Sequence, residues 1–303
     1  MTARGSAADV AGVLARAFAL VLVLALAVAP CAAGCSRGQA AASRPAGGAA
    51  RVVSLAPSMT EALFAIGAGD RVVGRSRFCD YPPEARALPV VGDLEPDLEA
   101  IVALHPDLVV GLNGLSSDRL AEQLAARGVA SWFVDTSSLA AIDSAIVELG
   151  ERCGHAQQAR ALTGSLDARE RAIERAVAGE PRPRVLLVVS LEPVVAAGPR
   201  SFADELIAHA GGQNVVTAGG PWPTLGFETI ARLDPDVVLD ATAVGSDQPS
   251  RITPGAAGWA GVGAVRRGRV VAVRDERVLR AGPRIADGLA ALARVLHPGA
   301  PVP

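Results

Sequence analysis

The sequence contains no lysine, and all 29 of its basic residues are arginine. Lysine-dependent chemistry is therefore excluded, in particular a Schiff base with a carbonyl substrate and a phosphate-binding loop closed by a lysine amine. The 29 basic residues are balanced by 31 acidic ones. Because a nucleic-acid-binding protein needs a basic surplus on its surface, this balance argues against such a partner.

Motifs typical of enzymes and metal sites are also missing. From Arg51 onward the sequence has no G-x-S-x-G motif, which presents a nucleophilic serine in many hydrolases, and its one match, GCSRG at Gly34 to Gly38, lies in the N-terminal segment before the predicted strands and helices. Its four histidines are scattered, and no two of them are spaced i, i+4 as metal ligands on a helix. We therefore predict a protein that is not an enzyme and holds no cofactor or metal. A secreted hydrolase would require a Ser-His-Asp triad that only folding could assemble.

The N-terminal segment predicts export. Arg4 and Arg16 precede an apolar run from Ala17 to Ala29, which is shorter than the ~20 residues that span a bilayer. The segment CAAGC, ending at Cys35, resembles the bacterial lipoprotein signal, in which this cysteine is lipidated and becomes the mature N-terminus. An ordinary cleaved signal is the alternative. We predict a lipoprotein-type signal over residues 1–35, and localisation in the periplasm or at the cell surface with a lipid anchor in the membrane.

The rest of the chain contains two copies of one sequence pattern. The segments LEAIVALHPDLVV and FETIARLDPDVVL carry the same residue types at matching positions. Glu99 and Glu228 occupy one such position, 228 − 99 = 129 residues apart. RVVSLAPS is likewise echoed by RVLLVVSLEP, and ALFAIGAGDRVVG by ELIAHAGGQNVVT. Each half is predicted to run strand, helix, strand, helix, strand. Continuous apolar strands that alternate with helices indicate a parallel sheet covered on both faces, so we predict two similar α/β lobes.

A long helical pattern separates the two halves. Apolar residues between His155 and Gly179 recur close to helical spacing, with arginine and glutamate on the other face. We predict a flexible tether over 36–50, an N-terminal lobe over 51–153, a single connecting helix over 154–180, and a C-terminal lobe over 181–303. Two lobes joined once by a rigid helix form a clamp that hinges little.

The chain resembles the solute-binding proteins of ATP-driven (ABC) importers that use one long connecting helix, most closely the vitamin B12 (cobalamin) branch. The resemblance is carried by RVVSLAPSMTEALFAIGAGDRVVG, CDYPPEARALPVVGD, LEAIVALHPDLVV, PWPTLGFETIARLDPDVVL and RAGPRIADGLAALARVLHP, and it covers Arg51 to Pro298. It implies a monomeric binding protein whose cargo is a corrinoid. Heme and siderophore binders are close relatives, and both cargoes stay open as alternatives. A ligand-sensing lipoprotein without a transport role is a further alternative.

The resemblance also gives the repeated glutamates a role. In such proteins an acidic residue on each lobe docks onto arginines of the permease dimer, and the matching positions are Glu99 and Glu228. Two similar lobes with matching charges suit a transporter with two similar halves. Each glutamate could instead serve only as a favourable charge in the first turn of a helix.

Ligand contacts are expected on loops that follow the strands, where open α/β sheets bind ligands. Trp222 lies between two prolines, and an exposed tryptophan is a platform for a flat ring. The spacing of Ser58 and Glu61 predicts a capping box at the start of the first helix. By resemblance, Phe78 and Trp222 match aromatic contacts of the cobalamin binder, while other positions depart from its pattern. The predicted ligand-binding residues are Ser58, Met59, Phe78, Tyr81, Asp93, Leu112, Trp222, Glu276 and Arg280.

Two cysteines remain as free side chains after processing of the signal. Cys79 and Cys153 could pair, since leftover cysteines of exported proteins often form a disulfide. The sequence leaves open whether they lie within bonding reach.

Overall fold

The computed structural model describes residues 48–114, 117–245 and 247–303. Cys35, the predicted signal and most of the predicted tether lie outside these ranges. Within them, no helix is both long and apolar enough to cross a membrane.

The first half of the described chain forms a four-stranded sheet with all strands parallel. Its order is β2-β1-β3-β4. The strands are β1 (Val52–Ser54), β2 (Val72–Arg75), β3 (Leu108–Leu112) and β4 (Ala130–Val134). The helices of this half are α1 (Pro57–Ala65), α2 (Leu98–Ala103), α3 (Ser117–Ala125) and α4 (Leu139–Arg152). The strands are short apolar runs, and β1 is buried along its whole length, as a strand covered on both faces must be.

The second half repeats the arrangement with one difference. Its sheet has the order β6-β5-β8-β9, and β7 pairs with β5. The strands are β5 (Arg184–Leu191), β6 (Val194–Ala196), β7 (Gln213–Asn214), β8 (Val237–Asp240) and β9 (Val270–Ala272). The predicted α/β class, with parallel sheets flanked by helices, is confirmed. β6 departs from it, because it is an additional strand that a tight hairpin turn joins to β5 in the antiparallel direction.

A 22-residue helix, α5 (Ala156–Val177), follows the first half and precedes the second. Gly154, with φ +71°, lets the chain leave α4 in the left-handed conformation and turn back into α5. The buried residues of α5 are Ala159, Leu166, Ile173 and Val177, and the partly buried Leu162 packs against the same core. At 1.5 Å per residue the helix is about 33 Å long.

We call the half that carries β1–β4 the N-terminal lobe and the second half the C-terminal lobe. The remaining helices belong to the C-terminal lobe. They are α6 (Phe202–His209), α7 (Phe227–Leu233), α8 (Gly263–Arg266) and α9 (Ile285–Leu296). One hydrophobic cluster runs from the inner face of the first sheet to the inner face of the second, and includes Val52 and Val110 as well as Leu187 and Leu239. The two lobes therefore share a core.

The possible disulfide between Cys79 and Cys153 is not formed, and both are buried free thiols. Cys79 Sγ lies 3.2 Å from Ser76 Oγ and 3.7 Å from the carbonyl oxygen of Ser54, at the end of β1. Cys153 lies in the shared core at the C-terminus of α4, where burial raises the pKa of its thiol to about 11. The sequence left open whether these two thiols lie within bonding reach, and in the structure they are not joined.

Candidate ligand-binding site

A cleft of about 340 Å³ lies between the two lobes. It is lined by residues that follow the carboxyl ends of β1, β3 and β4 on one side and by loops and a helix start of the C-terminal lobe on the other. The lining residues are Pro57, Ser58, Leu112, Asn113, Val134, Asp135, Thr136, Ser137, Ser201, Phe202, Pro221, Trp222, Leu279, Arg280 and Ala281. This is the place where open parallel sheets hold ligands.

The wall from the N-terminal lobe is largely polar. Asp135 directly follows β4, and its carboxylate accepts hydrogen bonds from the backbone N–H and the hydroxyl of Ser137, both at 2.9 Å. Asn113 and Thr136 lie beside them. This wall offers hydrogen-bonding groups that can fix the orientation of a ligand.

The wall from the C-terminal lobe is aromatic. Trp222 is 39% exposed, and its ring meets Phe202 edge to face with centroids 5.9 Å apart. The Trp222 loop is tied to the sheet, because the backbone N–H of Gly198 donates to the carbonyl of Pro221 at 2.9 Å. A Cβ on Gly198 would lie 2.3 Å from the carbonyl oxygen of Gly220, so only glycine permits this close approach. The position of the Trp222 ring is therefore fixed by its neighbours, and one surface of the ring stays exposed as a platform.

The two lobes touch at the floor of the cleft. Ser58 comes from the first turn of α1, and Gly282 comes from the loop that follows β9. A Cβ on Gly282 would lie 3.0 Å from Ser58 Cβ and 3.2 Å from the Ser58 carbonyl oxygen. Any side chain at Gly282 would push the lobes apart at this point.

Behind the floor, four charged side chains join the lobes. Glu61, on α1, is 3% exposed and receives two hydrogen bonds from Arg284, at 2.8 and 2.6 Å. Arg284 also donates to Glu276 at 2.7 Å, and Arg280 donates to Glu276 at 2.8 Å and lies 3.5 Å from Glu61. We call Glu61, Glu276, Arg280 and Arg284 the inter-lobe ion network. Bidentate pairing of this kind is strong and specific in geometry.

The electrostatics of the network follow from these contacts. Burial alone would raise the pKa of Glu276, but hydrogen bonds from Arg284 and Arg280 outweigh it and hold that pKa below its usual range. Hydrogen bonding to Glu61 raises the pKa of Arg284. The guanidinium of Arg284 also lies 3.9 Å from the centre of the Tyr81 ring. The four formal charges cancel, so the network adds no net charge to the floor of the cleft.

The predicted capping box is wrong. The N-cap of α1 is Ala56, and no side chain accepts a hydrogen bond there. The carboxylate of Glu61 is occupied by Arg284, 223 residues further along the chain. Since a charge-assisted bidentate pair is stronger than a hydrogen bond to one backbone N–H, the tertiary partner takes the carboxylate.

The predicted ligand-binding residues divide into four groups. Ser58, Leu112, Trp222 and Arg280 line the cleft together. Glu276 belongs to the inter-lobe ion network and Tyr81 contacts it, and neither residue lines the cleft. Phe78 and Asp93 are exposed outside the lining of the cleft. The Met59 side chain is fully buried in the shared core, because the first turn of α1 directs it inward. Met59 is thus corrected from a ligand contact to a core residue.

Several lining residues were missed by the sequence reasoning. Asp135 and Ser137 follow β4, a strand that the repeat pattern omits, although SWFV followed by DTSS is a recognisable strand and turn. Phe202 was missed because it opens α6 and does not lie on a loop. Arg284, the centre of the ion network, carries no local signal.

The two predicted docking residues occupy equivalent places. Glu99 is in the first turn of α2, where Asp97 is the N-cap, and Glu228 is in the first turn of α7. Both are exposed. Within the described ranges neither carboxylate has an ion-pair partner.

A second cavity, of about 660 Å³, lies wholly within the C-terminal lobe beyond the ends of β5 and β8. Arg251, at its edge, pairs with Glu192 at 3.0 Å, and both side chains are exposed. Among the residues that the structure describes, no cluster of three or more His, Cys, Asp or Glu side chains could hold a metal ion.

Comparison with curated proteins finds relatives with transport-related names. A cobalamin-binding protein of Halobacterium salinarum (strain ATCC 29341 / DSM 671 / R1) is 31% identical over 261 residues, which are 82% of this chain and 69% of that protein. The protein YvrC of Bacillus subtilis (strain 168), described as an uncharacterized ABC transporter substrate-binding lipoprotein, is 29% identical over 258 residues, 82% of this chain and 80% of that protein.

Solved structures with the same architecture bind different rings. The periplasmic vitamin B12 binding protein BtuF of Vibrio cholerae superposes with a TM-score of 0.70 at 25% identity, covering 82% of this chain and 96% of that one. The periplasmic heme-binding protein RhuT of Roseiflexus sp. RS-1 gives a TM-score of 0.71 at 28% identity, covering 83% and 99%. The family described as "Periplasmic binding protein" matches residues 52–276. The chain belongs to the periplasmic binding protein family.

Proposed function

We propose that this protein is the exported substrate-binding component of an ABC importer and that it captures a corrinoid in the cleft between its lobes. The family serves ABC importers. The observation that carries the proposal is the composition of the cleft, with the held aromatic platform of Trp222 and Phe202 facing a wall of hydrogen-bonding groups. A flat ring with polar substituents fits such a cleft, which would grip part of the ring and leave the rest in solvent.

A heme is the competing cargo, because heme-binding and B12-binding neighbours superpose equally well. The lining favours the corrinoid. Protein side chains hold heme iron through histidine, cysteine, methionine or tyrosine. None of the described residues that line the cleft is of these types.

The protein delivers its cargo without catalysing a reaction. Glu99 and Glu228 are exposed and equivalent on the two lobes, so they would bring the loaded protein onto two similar permease subunits. Cys35 would carry the lipid anchor that keeps the protein at the membrane, a proposal supported by the lipoprotein description of YvrC.

The test is calorimetric titration of the purified protein with cyanocobalamin, cobinamide and heme in parallel. Saturable one-to-one binding of the two corrinoids, with no heat from heme, is the expected result. Heme binding alone would overturn the corrinoid assignment and move the protein to the heme-binding members of its family. No binding of any of the three would refute a tetrapyrrole cargo, and iron-siderophores would be tested next.

A Trp222→Ala variant tests the platform. Truncating an aromatic anchor at a binding surface costs about 2 kcal/mol or more, so we expect affinity to fall at least about 30-fold. The matched control is Trp132→Ala on β4, because Trp132 is packed beneath Arg152 and does not line the cleft. A larger loss of affinity in the control would contradict the placement of the ligand.

A further inference from the structure

The hydroxyl of Ser58 is buried and has no hydrogen-bond partner among the described residues. Ser58 is 3% exposed and lines the floor of the cleft. A buried hydroxyl that lacks a partner destabilises the folded state, so native proteins rarely keep one without a reason. Its position on the cleft floor points to a ligand as the partner.

The surroundings of Ser58 define what it can bind. The residue lies in the first turn of α1, a nine-residue helix, where the first backbone N–H groups have no acceptor within the helix and the dipole is positive. Arg280, across the floor, is neutralised by its contacts to Glu276 and Glu61. The floor therefore offers hydrogen-bond donors and a partial positive potential. Such a site selects an acceptor oxygen and disfavours a cation.

Ser201 is a second buried serine of the same cleft, and its hydroxyl has hydrogen-bond partners within the protein. It is 1% exposed, precedes α6 of the other lobe, and lines the opposite wall. Its hydroxyl donates to the carbonyl of Gly198 at 2.8 Å and accepts from the backbone N–H of Asp204 at 3.1 Å. Ser201 is thus a satisfied helix cap, whereas Ser58 cannot be one because Ala56 occupies the N-cap of α1.

We propose that the cleft floor is an acceptor-binding subsite, in which the Ser58 hydroxyl donates a hydrogen bond to a side-chain oxygen at the edge of the bound ring. The inference rests on the proposed function and specifies how the ring is oriented. The acceptor is the carbonyl oxygen of a carboxamide if the cargo is a corrinoid, and a carboxylate oxygen if it is a heme. In either case the ring enters with a polar edge on Ser58 and a face against Trp222.

The proposal predicts opposite effects of one substitution on stability and on binding. Ser58→Ala removes an unpaired buried hydroxyl, so the melting temperature of the ligand-free protein should rise. The same change removes a donor to the ligand, so affinity should fall about 2- to 12-fold for a carboxamide acceptor and about 10- to 150-fold for a carboxylate. A merely structural serine would not produce this combination.

The experiment measures both quantities for the full protein and three variants. Thermal melts without ligand and calorimetric titrations with cyanocobalamin, cobinamide and heme are recorded for wild type, Ser58→Ala, Ser201→Ala and Trp222→Ala. Ser201→Ala is the matched control, and it should lower the melting temperature because a cap is lost. A higher melting temperature with weaker binding for Ser58→Ala supports the subsite, and the size of the loss distinguishes carboxamide from carboxylate.

Two results would overturn the subsite while the proposed function stands. One is a melting temperature of Ser58→Ala below that of wild type, which would show that the hydroxyl is satisfied inside the protein. The other is wild-type affinity of Ser58→Ala for a ligand whose binding Trp222→Ala weakens. If wild type binds none of the three ligands, the proposed function fails, and the subsite, which rests on it, fails with it.

Discussion

Removal of Arg284 should destabilise the protein strongly, because it leaves a buried carboxylate without its main partner. The Glu61 side chain is 2% exposed and accepts both of its short hydrogen bonds from Arg284. Breaking a buried pair by deleting one member costs about 3–5 kcal/mol. Arg280 remains 3.5 Å from Glu61 and compensates part of the charge, so we expect Arg284→Ala to cost about 3 kcal/mol, at the lower end of that range.

Because of the inter-lobe ion network, replacing Glu61 and replacing Arg284 should lower the stability by different amounts. Glu61→Gln should cost less than Arg284→Ala, since Arg284 keeps Glu276 at 2.7 Å and is itself less deeply buried. Replacing both partners, as in Glu61→Leu with Arg284→Met, should recover much of the loss, because no uncompensated charge stays in the interior. The double variant therefore separates the cost of an unpaired charge from the value of the pair.

Thermal unfolding followed by circular dichroism is the assay. At an unfolding entropy of about 2.1 cal/mol/K per residue, a loss of about 3 kcal/mol corresponds to a melting temperature lower by about 5–6 °C. Arg251→Ala is the control, since its pair with Glu192 is exposed on both sides and is expected to contribute about 0–1 kcal/mol. The reasoning is refuted if Arg284→Ala costs no more than Arg251→Ala, or if the double variant is as unstable as the sum of its single changes.

Three further predictions concern pH, docking and anchoring. Glu170→Gln should raise the melting temperature at pH 8 and flatten its decline between about pH 4.5 and 7; an unchanged pH profile would contradict this. Glu99→Ala with Glu228→Ala should abolish uptake into cells while calorimetric affinity for the ligand is kept, and a parallel loss of affinity would rule out the docking role. Cys35→Ser should move the protein from the membrane fraction to the soluble fraction on an immunoblot, and retention at the membrane would argue against lipidation.

The sign of the pH effect follows from the surroundings of Glu170. Burial, followed by the charges of Asp143, Asp167 and Glu174, raises the pKa of Glu170 from 4.5 to about 7. Burial, followed by the charge of Asp167, also raises the pKa of Asp143 to about 6. At a pH between the pKa of Glu170 in the unfolded chain and its pKa in the folded protein, the folded state binds more protons than the unfolded chain. Stability therefore falls as the pH rises through this window. Glutamine carries no charge, and thus this contribution disappears in Glu170→Gln.

What the sequence determined by itself is the set of local elements and their class. The repeated alternation of apolar strand and helix predicted two parallel sheets, and the apolar spacing of α5 predicted the face that it buries. These features depend on residues three or four apart in a helix and on continuous runs in strands. Such patterns are visible in one chain without knowledge of its tertiary contacts.

Only the tertiary structure decided which groups share the cleft and which partner each polar side chain takes. Glu61 had a local partner available in the sequence, yet it pairs with Arg284 from the other lobe. Asp135 shares a cleft with Trp222 only because the two lobes pack on each other, and Phe202 meets the Trp222 ring only through the folding of the C-terminal lobe. Among the described residues the Ser58 hydroxyl has no hydrogen-bond partner for the same reason, because the choice among competing partners depends on distances across the folded chain. Those distances carry no signature in local spacing.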